Sequence, residues 1–535
     1  MKTYFIRLIS MQKMFVLKIQ LLLVVVSFLF HSTLVAQNPD SLPHRPQFHF
    51  SPKENWMNDP NGLVYYKGEY HLFFQHYPKA TVWGPMHWGH AVSKDLVHWE
   101  QLPIALYPDS LGLIFSGSIV IDSLNTSGTK SGEEAPLIAI FTYHDLEKEK
   151  NDSLNCQFQG MAFSNDKGRT WKKYATNPIL KNGIHKDFRD PNVFWYSPEN
   201  KWVMTLAVGD HVEFYDSKDL KSWNKTGEFG KNEGSHGGVW ECPSLIKIKV
   251  DGTKKEKWVL IQSIGRGGPT DGGSATQYFV GEFDGTTFKN ANSNEKIFWL
   301  DYGSDNYASV VFCNGPDNKH ILIGWMSNWL YATKVPTEKW RSAMTLPREL
   351  KLKDTENGFR LFQEPLKTFK ELRKKQVFIK SDALRNKKDT IEVIHNSKLN
   401  EIYLEVNLQK TKAESFSVVA SNRVGEQLEI GYNAESHNYY IDRTKSGKVD
   451  FEKSFSSVAL APRTSTNSEI KMHIFLDVAS VEVFCDDGET TLTDIFFPTE
   501  DFTKIDLVGN KNLFLKTKAT GEKVETRNKF YELKN

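Results

Sequence analysis

The chain has 535 residues, enough for two large domains, and its 67 Lys and Arg nearly balance its 65 Asp and Glu, giving a formal net charge of +2. This balance argues against the strongly basic character of nucleic-acid-binding proteins, so no nucleic-acid partner is expected. The four cysteines show neither the density of a disulfide scaffold nor a CxxC pair.

The first 36 residues have the pattern of a secretory signal peptide. Basic residues precede an almost entirely apolar run over residues 21–30, and the small residues Val35 and Ala36 are followed by polar sequence. The apolar run is shorter than the roughly 20 residues that a membrane span needs. We therefore predict cleavage near Ala36, export to the periplasm or the medium, and no membrane span in the mature chain.

Residues 47–350 are predicted to form β-structure, because short apolar runs alternate with Gly, Asp, Asn and Pro turns and long amphipathic helices are missing. A Ser-x-Asp sequence that ends in Trp occurs three times, at residues 93–99, 164–171 and 217–223, and a looser copy follows at residues 283–288. Each copy predicts a turn whose Asp bonds its own backbone, followed by an aromatic residue that returns to the core. The spacing suits four-stranded blades, so we predict a β-propeller whose ligand site lies where the innermost strands meet the central channel.

Residues 351–375 are charged and compatible with helix, and we interpret them as a linker. Beyond them, apolar and polar residues alternate strictly in segments such as 402–408 and 470–476. Half-buried antiparallel strands have this pattern. Residues 376–535 are therefore predicted to form a β-sandwich.

Three short acidic motifs lie in the predicted propeller: WMNDPNG at residues 56–62, RDP at 189–191 and ECP at 241–243. In each motif a proline follows the carboxylate directly or after one residue, which favours a strand end or a bend over a strand centre. A single Asp-Pro pair is most often a turn. Three such carboxylates on different blades, however, can all project toward one channel.

Glycoside hydrolysis needs such a group of carboxylates. A retaining enzyme uses one ionised carboxylate as nucleophile and a second, protonated one as acid and later as base. Arg189 is expected to keep the adjacent Asp190 ionised. A buried glutamate in an aromatic pocket, as in Trp240-Glu241, is expected to stay protonated and act as the acid.

These motifs resemble glycoside hydrolase family 32, the invertases, inulinases and levanases. WMNDPNG, RDP and ECP match that family in kind and in order, as do WGPMHWGH at 83–90, FSGS at 115–118 and GWMSNW at 324–329. The segment around residues 480–484 resembles the sandwich domain of the family. The resemblance covers nearly the whole mature chain and implies an all-β fold, with a five-bladed β-propeller catalytic domain followed by a β-sandwich domain.

The resemblance also implies the roles of individual residues. Asp59 is expected to attack the anomeric carbon, Glu241 to protonate the leaving oxygen, and Asp190 to hold fructose hydroxyls and stabilise the transition state. The pocket for the terminal fructose is expected to contain Asn58, Gln75, Trp83, Phe115, Ser116, Arg189, Tyr307 and Trp325, with Tyr302 competing for the role of Tyr307. The implied activity is exo-acting, retaining release of fructose from levan, inulin, fructo-oligosaccharides or sucrose through a covalent fructosyl-enzyme, with no cofactor and no metal.

Other functions explain fewer of these residues. A sialidase propeller, suggested by the Asp turn at 164–171, needs several arginines and a Tyr nucleophile and leaves the acidic motifs unexplained. An arabinanase-like propeller lacks WMNDPNG, and a non-catalytic carbohydrate-binding protein predicts a missing carboxylate. His236 and Cys242 have no further ligand at metal-site spacing. Within the family, a sucrose invertase or a fructosyl-transferring enzyme remains the alternative.

Overall fold

The computed structural model describes residues 42–151, 154–292, 296–377, 390–408, 415–509, 517–520, 523–526 and 528–534. The signal peptide predicted over residues 1–36 lies outside these ranges. Within them, no helix is both long and apolar enough to cross a membrane.

Five sheets follow one another from residue 55 to residue 365. The first contains β1 (Asn55–Tyr66), β2 (Glu69–Tyr77), β3 (His87–Ser93) and β4 (Glu100–Leu106). The second contains β5 (Leu113–Ile121), β6 (Leu137–His144), β7 (Gln157–Ser164) and β8 (Lys172–Lys173), and the third β9 (Arg189–Tyr196), β10 (Lys201–Val208), β11 (His211–Ser217) and β12 (Asn224–Phe229). The fourth contains β13 (Trp240–Lys249), β14 (Glu256–Ile264), β15 (Ala275–Phe283), β16 (Phe288–Asn290) and β17 (Phe298–Trp299). The fifth contains β18 (Tyr307–Val311), β19 (Ile321–Met326), β21 (Ala343–Met344), β22 (Arg348–Thr355) and β23 (Gly358–Pro365).

The first strands of the five sheets, β1, β5, β9, β13 and β18, are neighbours in a ring around a central channel. Apolar clusters fill the spaces between successive sheets. A short strand, β20 (Trp340–Arg341), closes the ring by pairing in parallel with Asn55 and Trp56 at the start of β1. The molecule thus contains a five-bladed β-propeller, as predicted.

The predicted Asp turns lie between the third and fourth strands of the first four sheets. Backbone N–H groups two to four residues further along donate to the carboxylates of Asp95, Asp166, Asp219 and Asp284. The tryptophans that end the three closer copies pack against apolar clusters, as predicted for Trp99, Trp171 and Trp223. These turns therefore stabilise the blades at the end of the channel opposite to the acidic motifs.

The interpretation of residues 351–375 as a linker is wrong for the first part of this segment. Strands β22 and β23 form a hairpin at the outer edge of the fifth sheet, and a 3-10 helix (Lys367–Leu372) follows it. Leu350 and Leu352 are buried, whereas Lys351 and Lys353 between and after them are half-buried. Residues 350–353 thus have the alternation of a strand that is buried on one side only, and this is the signal that could have identified it.

Two six-stranded sheets pack face to face in the remainder of the chain. One contains β24 (Arg373–Val377), β26 (Asn400–Asn407), β31 (Glu469–Leu476), β32 (Ser480–Cys485), β33 (Thr490–Ile495) and β37 (Lys529–Leu533). The other contains β25 (Thr390–His395), β27 (Ser415–Ser421), β28 (Gln427–Asn433), β29 (Asn438–Asp442), β30 (Val458–Pro462) and β34 (Lys504–Gly509). A shared apolar cluster, with Ile402, Val418 and Ile474 among its members, makes them the predicted β-sandwich. A separate hairpin joins β35 (Thr517–Thr520) and β36 (Lys523–Thr526).

The helices of the described part are short: α1 (Leu146–Lys150) and the 3-10 helices Ser197–Glu199, Pro316–Asn318, Lys367–Leu372 and Asp486–Gly488.

The sandwich contacts the segment that leads into the innermost strand of the fifth blade. The N–H of Tyr302 donates to the Thr491 carbonyl and that of Asp305 to the Thr493 carbonyl, both at 2.9 Å. Asp305 also forms a fully buried ion pair with Arg443 of the sandwich, at 2.7 Å. Because Tyr307 begins β18 two residues later, the sandwich fixes the start of that strand.

Candidate active site

The three acidic motifs lie at the starts of innermost strands, where backbone irregularities direct their side chains to one mouth of the channel. Asp59 lies on β1, Asp190 on β9 and Glu241 on β13, and the strand register shifts at each motif as it does at a β-bulge. Asp190 and Cys242 have left-handed φ values of 61° and 50°. Such backbone is costly for residues other than glycine and persists where the surroundings hold it. The proline in each motif cannot donate to a ladder, which favours the interruption at that point.

The carboxylate of Asp59 is held by hydrogen bonds on both oxygens. Oδ1 accepts from Asn58 Nδ2 at 3.1 Å, and Oδ2 accepts from the Ser116 hydroxyl at 3.0 Å. Trp56 Nε1 donates to Asn58 Oδ1 at 2.8 Å and so orients the amide. Burial and the negative charge of Glu241 raise the pKa of Asp59 to about 6, against the lowering effect of these hydrogen bonds. Asp59 is therefore mainly ionised at neutral pH, as a nucleophile must be.

Glu241 lies near enough to Asp59 for its charge to raise the Asp59 pKa, and its carboxylate is held from two sides. Its Oε1 accepts from Arg189 Nε at 3.1 Å and from Nη2 at 2.9 Å, and its Oε2 accepts from the Tyr307 hydroxyl. The same guanidinium donates to Asp187 Oδ1 at 2.5 Å. The Glu241 side chain remains 23% exposed, so a leaving group or a water molecule can reach it.

The expectation that Arg189 keeps Asp190 ionised is wrong. Burial raises the pKa of Asp190 to about 7, because the lowering effect of the Arg189 charge is offset by the negative charges of Glu241 and Asp59. The guanidinium donates instead to Glu241 and Asp187.

The expectation that Trp240 forms a pocket around Glu241 is also wrong. The Trp240 ring is fully buried between blades, 5.7 Å from the ring of Phe279, and its Nε1 donates to the Ser235 carbonyl at 2.9 Å. The strand alternation that directs Glu241 to the channel therefore directs Trp240 to the core.

Cys242 contributes to the site as a hydrogen-bond donor, a role that the sequence did not predict. Its N–H donates to Asp190 Oδ2 at 3.0 Å, and its Sγ lies 3.5 Å from Asp59 Oδ2 and 3.6 Å from Asp190 Oδ2. Burial raises the pKa of Cys242 well above its ordinary value, so the group is a neutral thiol that donates to carboxylates. Its place between Glu241 and Pro243 is the signal that could have identified it.

Aromatic residues of the predicted pocket surround the carboxylates. Trp325 is fully buried, with its ring centroid 6.2 Å from those of Trp56 and Tyr307. Trp83 lies at the outer edge, 39% exposed, and its ring meets that of Phe115 edge to face at 6.2 Å. Trp83 and Phe115, which are not fully buried, provide apolar walls on which the C–H faces of a sugar can pack.

Two buried donors of the pocket have no hydrogen-bond partner among the described residues: Gln75 Nε2 and Trp325 Nε1. A buried donor without a partner is costly, and the hydroxyls of a bound sugar can supply the missing acceptors. Tyr307, rather than Tyr302, contacts Glu241, while Tyr302 packs against the core of the sandwich.

Within the described ranges, one group of side chains has the spacing of metal ligands: His211, Glu213 and Glu228 on the third sheet. The ammonium of Lys225 already lies 2.5 Å from Glu213 and 3.0 Å from Glu228. A metal ion would have to displace this ammonium, so we assign no metal to the group.

Family profiles match nearly the whole described chain. The profile for the glycosyl hydrolases family 32 N-terminal domain matches residues 49–365, and that for the glycosyl hydrolases family 32 C terminal matches residues 368–526.

Individual relatives are similar over most of the chain. A levanase of Bacillus subtilis is 47% identical over 468 residues, which are 87% of this chain and 68% of that protein. An extracellular exo-inulinase of Aspergillus awamori is 40% identical over 490 residues, 86% of this chain and 90% of that protein. The crystal structure of exo-inulinase from Aspergillus awamori has a TM-score of 0.81 at 36% identity and covers 92% of this chain and 99% of that chain. The β-fructofuranosidase from Schwanniomyces occidentalis complexed with fructosyl-erythritol has a TM-score of 0.81 at 31% identity, covering 94% and 100%.

Proposed function

The chain belongs to glycosyl hydrolase family 32, and on that premise we propose that Asp59 and Glu241 carry out a retaining, exo-acting hydrolysis of β-fructosides. The protein is a glycoside hydrolase of the β-fructosidase type, which acts on fructans and sucrose. The observation that carries the residue assignment is the pairing of an ionised Asp59, held by Asn58 and Ser116, with a solvent-accessible Glu241.

In the first step, Asp59 attacks the anomeric carbon of the terminal fructose and forms the fructosyl-enzyme ester. Glu241 donates its proton to the glycosidic oxygen as the bond to the leaving sugar breaks. Tyr307 and Arg189, which hold the two oxygens of Glu241, orient its carboxyl group toward that oxygen. The apolar walls of the mouth strengthen these charge interactions.

In the second step, Glu241 acts as a base. It takes a proton from a water molecule, which attacks the anomeric carbon and releases Asp59, so that fructose leaves with retained configuration. A sugar hydroxyl in place of water gives transfructosylation by the same chemistry. The N–H and Sγ of Cys242, the neighbour of Glu241 in the chain, both contact the carboxylate of Asp190. We assign Asp190 to the fructose hydroxyls.

An exo mode is supported by the composition of the mouth. Trp83 and Phe115 supply walls, and Gln75 and Trp325 supply unpartnered donors for one sugar unit. Similar proteins are named exo-inulinase and levanase, so we assign terminal fructose of fructans as the substrate group. The similarity to an extracellular exo-inulinase and the N-terminal sequence pattern support export of the protein.

The test is product analysis with levan, inulin and sucrose. Free fructose should be the first product from all three, and nuclear magnetic resonance of the fresh product should detect the β-anomer first. Early release of oligosaccharides would contradict the exo mode, and the α-anomer would contradict retention. Asp59→Asn and Glu241→Gln serve as variants of matched size that remove each proposed group.

A further inference from the structure

Two buried glutamines, Gln157 and Gln159, reach from β7 to the backbone that leads into the RDP motif. They lie on the same face of the strand because they are two residues apart. Gln157 Oε1 accepts from the Phe188 N–H at 2.8 Å and from Arg189 Nη1 at 3.4 Å. Gln159 Nε2 donates to the Phe188 carbonyl at 2.9 Å. One peptide segment is thus held by both amides just before Arg189.

Each glutamine continues to a different catalytic-site carboxylate. Gln157 acts on Arg189, whose guanidinium binds Glu241 through Nε and Nη2. The Thr142 hydroxyl donates to Gln159 Oε1 at 2.7 Å. The oxygen of the same Thr142 hydroxyl accepts from the Asp190 N–H at 3.0 Å. The second route fixes the backbone of Asp190, which has a left-handed φ and needs such support.

A third contact joins Gln157 to the wall of the sugar pocket. Gln157 Nε2 donates to His144 Nδ1 at 3.3 Å, so His144 carries its proton on Nε2 and donates it to Glu149 Oε2 at 3.0 Å. The His144 ring stacks on Phe115 at 4.4 Å with an interplanar angle of 5°. The position of the wall and the position of Arg189 are therefore set by the same amide.

We propose that Gln157 and Gln159 are positioning residues with separate targets: Gln157 acts through Arg189 on Glu241, and Gln159 acts through Thr142 on Asp190. The proposal rests on the proposed function, since it assumes that Glu241 is the acid and that Asp190 binds the sugar. Glu241 acts on the leaving group, so replacing Gln157 should reduce activity most on substrates with a poor leaving group. Asp190 acts on the fructose ring, so replacing Gln159 should reduce activity equally on all substrates.

The experiment compares sucrose with an aryl β-fructoside whose phenol leaves without help from an acid. Gln157→Leu should lower kcat/KM for sucrose by about 10-fold or more and for the aryl substrate by less than about 3-fold, because general acid catalysis matters most for a poor leaving group. Gln159→Leu, the matched control on the same face of β7, should lower both by the same factor. Gln157→Glu loses the donor to His144 but keeps the oxygen that accepts from the Phe188 N–H and Arg189, so it should restore most of the sucrose rate.

Rates are taken per folded molecule, with circular dichroism and thermal unfolding of every variant. Gln157→Asn, which retains the amide but is too short to reach Arg189, takes the place of Gln157→Leu if the latter does not fold. Equal losses on both substrates for the Gln157 variants, or no loss, overturn the proposal in favour of a structural role. If the unsubstituted protein releases no fructose from either substrate, the proposed function itself fails, which is a separate result.

Discussion

Replacing Asp59 by Asn should abolish turnover and at the same time stabilise the folded protein at neutral pH. In the folded state the pKa of Asp59 is about 6, against an ordinary value of 3.8. A carboxyl group with a raised folded pKa binds its proton more tightly in the folded than in the unfolded state. Its ionisation therefore destabilises the fold increasingly between about pH 4 and pH 6, and the full cost applies above that range.

The size of the effect follows from the shift. About two pKa units correspond to about 3 kcal/mol, and this is an upper limit because Asp59 keeps some contact with solvent. For a chain of this length that unfolds as a unit, 1 kcal/mol moves Tm by roughly 1 °C, so the expected gain is about 1–3 °C. Asn is the suitable substitution because it keeps the size of the side chain and removes the charge next to Glu241.

The assay is thermal unfolding of Asp59→Asn and of the unsubstituted protein at pH 7 and at pH 4. The gain in Tm should be present at pH 7 and nearly absent at pH 4. Asp95→Asn is the control of opposite sign, since hydrogen bonds from His98 and Val97 lower the pKa of Asp95 to about 2 against the cost of burial. An equal gain for Asp59→Asn at both pH values, or a loss at pH 7, would refute the electrostatic reasoning.

Three further predictions concern catalysis and the role of the sandwich. In the unsubstituted protein kcat/KM should fall below about pH 6 as Asp59 is protonated, and a pH profile without an acidic limb there would contradict the assignment. In Glu241→Gln, azide should restore turnover of an aryl fructoside with retained configuration, because it needs no base. In Asp59→Asn, azide should give no product of retained configuration. If azide restored turnover only in Asp59→Asn, and with inverted configuration, Glu241 would be the nucleophile and Asp59 the acid and base. Asp477→Ala should lower Tm, since Asp477 binds His49 at 2.8 Å in a buried pair, but change the rate per folded molecule less than about 100-fold.

The sequence was sufficient to predict which segments meet at the channel, because the motifs carry their own backbone chemistry. The Asp turns and the prolines after the carboxylates are local signals, and the structure has both at the predicted places. The partner of Arg189 could not be predicted in this way. Its contact with Glu241 depends on a bulge in one strand and on the distance between two blades, neither of which is encoded within a few residues.

The hairpin at residues 348–365 illustrates the other limit of the sequence. Its leucines alternate with lysines as in a half-buried strand, but only the packing of Leu350 and Leu352 against the neighbouring blade shows that the hairpin belongs to the propeller. The raised pKa of Asp190 has the same origin, since it depends on burial and on charges brought together from three different strands.

The parallel pairing of β20 with β1 has a consequence for biosynthesis. The strand that carries Asp59 is among the first to leave the ribosome, but its partner at Trp340–Arg341 is made only after all five innermost strands. Such distant pairing carries a high entropic cost and slows folding. A nascent chain therefore carries an unclosed first blade with a free strand edge during most of its synthesis, and such edges are sites of aggregation. If the chain is exported as proposed, translocation before closure leaves this edge unpaired until the ring is completed outside the cytoplasm.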